Sequence, residues 1–340
     1  MKKIYIFLLL ILTIACKKQE LYDAVEPNRA YVVNGGSKTV SVIDLTSLEV
    51  VNTISLTTND SIFPHHIYLS PDQLQLAIAM PEHDFSKGHN ALHNNPRKGG
   101  VAVIDLSKAN KVRTFDVVNA NHNAIFSPDG REVWTAGYSH TGRIYVYDAD
   151  SGKLKNEITV DADPSEVVFS SDGVYGIVTS GEGSFLQVID VQTKSLEKKI
   201  KIDLAPSNVW SGKDNKVLIS NAFKKSINVV DLSLLKVTDF LDFSFTPGFM
   251  AYLNEDIWVA DPKNHRIVII EKTTEGLKET ATITFEDDTD PHMFQFFDNG
   301  QKALVILQNK AQAVVIDTQT LEQMKIINVG QKPNGIAISQ

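Results

Sequence analysis

The chain of 340 residues contains one cysteine, Cys16. An internal disulfide is therefore excluded, and so are a thiolate-built zinc site and the Cys-x-x-Cys-His attachment of a c-type haem. No apolar run reaches the ~20 residues a membrane-spanning helix needs; the stretch from Ile4 to Leu12 falls well short. Basic charge is also scarce. Lys and Arg number 33 against 41 Asp and Glu, a formal charge of −8, and no Lys/Arg cluster is interleaved with aromatics, which excludes nucleic acid as a partner. Neither a Gly-x-Ser-x-Gly elbow, a phosphate-cradling glycine loop nor a His-Glu-x-x-His helix occurs. The glycine-rich Ser180–Ser184 joins two strands and reads as a turn, and Asp287-Asp288 reads as a solvated acidic loop.

What the sequence has is repetition. The phrase Val40-Ser-Val-Ile-Asp44 returns as Val101-Ala-Val-Ile-Asp105, Tyr145-Val-Tyr-Asp148, Gln187-Val-Ile-Asp190, Asn228-Val-Val-Asp231, Val268-Ile-Ile-Glu271 and Val314-Val-Ile-Asp317. Its alternation has the period of two expected of a half-buried strand. Each copy follows two shorter apolar segments, the first ending in turn chemistry such as Ser127-Pro-Asp-Gly130, and precedes a more polar one. Four strands per unit of roughly forty residues, without helical periodicity, predict an all-β, seven-bladed β-propeller of four-stranded antiparallel blades. The chain opens with second-strand text, Ala30-Tyr-Val-Val33, and ends with first-strand text, Asn334-Gly-Ile-Ala-Ile338. The C-terminal strand is thus expected to complete the N-terminal blade and close the ring.

This pattern, with Tyr31-Val-Val-Asn34 as its eponymous segment, resembles the YVTN-type (YncE-like) β-propeller repeat over residues 29–340. The resemblance implies the propeller fold; it leaves function open, because related propellers serve as scaffolds, lactonases, lyases and cofactor-bearing oxidoreductase subunits. At the other end, Lys2-Lys3, the Ile4–Leu12 run and Thr13-Ile-Ala-Cys16 resemble a bacterial lipoprotein signal. Residues 1–15 are then a signal peptide, Cys16 the lipidated first residue, and 16–28 a flexible tether. The expected location is the bacterial cell envelope, with the lipid anchoring the chain to the outer membrane. Loss of Lys2 and Lys3 would take the charge from −8 to −10.

The departures from the repeat are where chemistry is expected. The third-strand acids stand about forty residues apart, except for the step of 61 between Asp44 and Asp105, which contains the insertion Pro81–Gly100. All nine histidines fall in loops of one propeller face. Aligned on the residue after the blade-opening proline, the loops carry His65, His122, Ser165, Ser207, Gly248, His292 and Asn334, so three histidines share one sector of the channel mouth. His66 and the insertion's His83, His89 and His93 belong to that sector. Converging neutral imidazoles suit copper or zinc, with Asp60, Asp84, Asp287, Asp288 and Asp290 as candidate outer acceptors. Two functions follow from one cluster: a scaffold binding a small ligand or an envelope protein through its histidine-rich face, or a copper or zinc protein with His65, His66, His83, His89, His93, His122 and His292 as candidate ligands. No residue is assigned a catalytic role.

Overall fold

The computed structural model describes residues 27–87, 92, 97–108 and 110–339. The leader, Cys16, His89 and His93 lie outside the described residues.

Seven four-stranded antiparallel sheets form the ring. In blade 2 the strands are His65–Leu69, Gln75–Ala79, Gly99–Asp105 and Lys111–Val117, counted from the channel outward. Blades 3 to 7 follow in chain order, with innermost strands Ile125–Phe126, Pro164–Phe169, Pro206–Ser211, Met250–Leu253 and Pro291–Phe297. Blade 1 is composite: Pro333–Ser339 is innermost, followed by Arg29–Asn34, Thr39–Asp44 and Glu49–Ser55. The expected closure is observed, with Ala30 opposite Ile338 and Tyr31 opposite Ala337.

The second and third strands supply the cores between sheets. Trp134 and Trp258 are fully buried there; Trp210 is also buried but stands on an innermost strand, where it lines the central channel. The fourth strands are largely exposed, in keeping with their polar sequences. Acids ending the third strands organise the turns that follow. Asp44 Oδ1 accepts from the Thr46 and Ser47 amides at 2.8 Å each, and Asp317 Oδ1 does the same for Gln319 and Thr320 at 2.9 and 2.8 Å. These turns lie at the opposite end of the blades from the histidine loops, which leaves the other face to carry the site.

Candidate metal centre

The site begins with an irregularity in one strand. In blade 2, His65 pairs with Ala79 and Ile67 with Ile78, so His66 is the extra residue of a β-bulge. Its φ is +30°, a conformation costing about 1–3 kcal/mol unless its surroundings impose it. Blades 4, 5 and 7 are built differently: their extra residue is Ser165, Ser207 or His292, and the positive φ falls before the proline, at Asp163, Ala205 and Asp290. Blade 2 alone among these moves the strain onto a histidine. Gly335 of blade 1 makes room for it, since a Cβ there would stand 3.0 Å from His66 Cα and 3.1 Å from Ile67 N.

Four imidazoles meet as a result. The His65 ring centroid lies 4.4 Å from that of His66, 4.3 Å from His122 and 6.1 Å from His292, and His66 and His122 are 4.5 Å apart. His65, His66 and His122 are only 3%, 2% and 6% exposed, which removes them from any solvent-facing surface. Potential ligand atoms converge within 4.8 Å in two triads, His65–His66–His292 and His66–His122–Glu166, that share His66.

Glu166, on the innermost strand of blade 4, is fully buried. Its Oε1 accepts from His122 Nδ1 at 3.0 Å, and its Oε2 accepts from the Val209 amide at 3.3 Å. His66 Nδ1 also approaches Oε1 to 2.9 Å, but off the line a hydrogen bond needs. Burial alone pushes the Glu166 carboxyl up; the contacts with His122 and His66 outweigh it and bring the group down to about 2. Burial, reinforced by His122, lowers His66 to about 4 against the pull of Glu166. Burial likewise lowers His292. His66 is therefore a neutral base at neutral pH, the state a metal requires of it. A neutral imidazole donating Nδ1–H to Glu166 carries its lone pair on Nε2, so Glu166 orients His122 as an outer carboxylate orients a metal-binding histidine.

The insertion roofs the cluster. Phe85, in the 3₁₀ turn Phe85–Lys87, packs on His65 at 5.6 Å and His122 at 4.8 Å between centroids, and with Leu92 and Ala120 forms a small apolar cap. Asp84 pins this turn across the channel mouth. Its carboxylate bonds Lys332 Nζ at 2.6 Å and the Ser86 hydroxyl at 2.6 Å, contacts that hold it below its ordinary value despite partial burial, which acts the other way. Asn334 Nδ2 donates to the Pro64 carbonyl at 3.0 Å and fixes the other side of the loop.

The predicted residues thus divide. His65, His66, His122 and His292 come together; His83 packs edge-on against Phe85 in the roof and is outside both triads. Among the candidate outer acids, Asp60 pairs with Lys38, the Asp288 amide donates to His265 Nε2, and Asp290 acts on His292 through its charge. A separate trio, His140, Asp163 and Glu182, gathers between blades 3 and 4 with His140 more than half exposed. Glu166 was missed by the sequence alignment because that alignment used only the residue after proline. One position later, where blade 2 has His66, the other blades have Asn123, Glu166, Asn208, Phe249, Met293 and Gly335; reading that column would have found it.

No family model and no curated protein matches the sequence. Solved structures do. The dihydro-heme d1 dehydrogenase NirN, in complex with DHE, is 19% identical over 93% of this chain and 76% of its own, with a TM-score of 0.64. The periplasmic gluconolactonase PpgL of Pseudomonas aeruginosa is 17% identical over 92% and 99%, with a TM-score of 0.71. A protein of unknown function from Desulfotomaculum acetoxidans DSM 771 is 13% identical over the same shares, with a TM-score of 0.72. At such identities the likeness is one of architecture, and it joins the topology in a single conclusion: this chain is a seven-bladed β-propeller.

Proposed function

We propose that the protein is a metal-binding propeller of the YVTN type, holding a copper or zinc ion among His65, His66, His122 and His292 at the channel mouth, with Glu166 as the carboxylate that orients or completes the set. The observation that carries this is the pair of triads sharing His66, buried throughout except for the half-buried His292. A donor set of imidazoles with one carboxylate suits copper or zinc rather than magnesium or calcium, which favour oxygen. Burial of the histidines favours a small ion over a protein docking on their rings, because a protein partner needs side chains it can reach. Elemental analysis of protein purified without a histidine tag tests the proposal. One copper or zinc per chain is expected, lost when His65, His122 and His292 are all replaced by Ala; absence of metal from the wild type, with melting unchanged on adding either ion, overturns it.

The proposed setting is the cell envelope, with Cys16 lipidated after removal of residues 1–15. Incorporation of labelled fatty acid should be abolished by Cys16→Ser. Labelling that persists in that variant refutes the anchor.

A further inference from the structure

The channel opens again beneath the histidines. The innermost strands of blades 2 to 7 run from the histidine face toward the turns that follow them, so residues beyond the His66 level line the lower channel, with Phe249 and Met293 at that level. A cavity of about 310 Å³ lies there, walled by Tyr68, Trp210, Phe249, Met293 and Phe294. That volume sits at the lower end of the ~300–1,000 Å³ range of small-molecule pockets. Trp210 meets Phe249 edge to face at 4.7 Å, and Phe249 meets Phe294 the same way at 4.8 Å. Such walls offer ring faces and edges together, the pairing that a flat aromatic guest satisfies and a flexible chain does not.

The lining includes no Asp, Glu, Lys, Arg or His. A charged guest would be stripped of water without a counter-charge, which is strongly unfavourable. Trp210 contributes its ring to the wall and is 6% exposed, while its Nε1–H is covered by protein atoms rather than open to the cavity. The same indole stands 5.6 Å from the His66 ring, so the cavity and the histidine cluster share a wall.

We propose that this cavity binds an uncharged, planar aromatic molecule of one or two rings, held directly below the metal-binding histidines. Only the nearness to a metal rests on the function proposed above; the cavity stands on its own geometry.

Calorimetry on the tag-free protein, metal-free and copper-loaded, with phenol and 2-naphthol as probes and benzoate as the charged control, tests the proposal. Saturable binding of one probe per chain is expected, with benzoate at least tenfold weaker. Ala251→Phe, which fills the cavity, should weaken binding more than tenfold. A bound probe should also shift the copper electron paramagnetic resonance spectrum. No saturable binding of either phenol, equal affinity for benzoate, or unchanged affinity in Ala251→Phe overturns the proposal. Phenol binding to a wild type that retains no copper would sink the metal and keep the cavity; copper retention without phenol binding would do the reverse.

Discussion

Glu166 Oε1 lies 3.0 Å from His122 Nδ1, with the carboxylate wholly out of contact with water. A buried carboxylate persists only where partners replace its hydration, so the two side chains depend on each other. Replacing Glu166 with Gln keeps the shape but removes the charge that fixes the His122 tautomer. Metal affinity should fall ten- to a hundredfold, the usual effect of losing an orienting carboxylate. Glu166→Ala should also cost about 1–3 kcal/mol of stability by leaving a buried N–H unsatisfied; metal titration and urea melts read the two effects separately.

The acid response of the metal-free protein follows from Glu166 and its other histidine neighbour, His66. In the folded state His66 lies at about 4 against an ordinary 6.5, so the unfolded chain takes up its proton first and stability is lost as pH falls from about 6.5 to about 4. Glu166, depressed from 4.5 to about 2, acts in the same direction, its contribution lost as pH falls from about 4.5 to about 2. The melting temperature should therefore drop continuously below pH 6.5. His66→Asn, which tolerates positive φ, should flatten the upper part of that curve, and an unchanged profile in the variant would assign the loss to other groups.

The roof should govern exchange more than stability. Lys332→Ala removes the ion pair with Asp84, whose lysine is 43% exposed, and such pairs contribute about 0–1 kcal/mol. Chelator stripping of metal should accelerate several-fold while melting barely moves. Stopped-flow mixing with a chromogenic chelator measures the rate.

Ring closure is a separate matter. Ending the chain before Pro333 would remove the innermost strand of blade 1 and expose the edge of Arg29–Asn34. An unpaired edge of that length invites association between chains. Light scattering should show aggregation, and adding a synthetic peptide of residues 331–340 should suppress it.

Much of this architecture is legible in the amino-acid order. The acids at 44, 105, 148, 190, 231 and 317 mark the third strands because each bonds the backbone amides of its own turn, a local interaction that leaves a local signature. Closure was equally readable, since strand types at the two termini are complementary. The meeting of His65, His122 and His292 followed from aligning loops on proline. What the sequence does not carry is register within the bulge. Whether His65 or His66 is the extra residue depends on how blade 2 packs against Gly335, nearly 270 residues away. Trp210 stands on an innermost strand, and the channel it lines exists only once all blades are assembled.

The composite first blade gives the site a place in time. Lys332, Asn334 and Gly335, which clamp the roof, the Pro64 loop and the His66 bulge, reach the site only when the strand Pro333–Ser339 joins blade 1. His292 and His65 likewise become neighbours only when the two ends of the chain have joined. Before closure, His65, His66 and His122 on neighbouring blades lack His292 and the contacts from Lys332, Asn334 and Gly335. Under the proposed function, loading would wait for the closed ring, in whatever compartment it finishes folding.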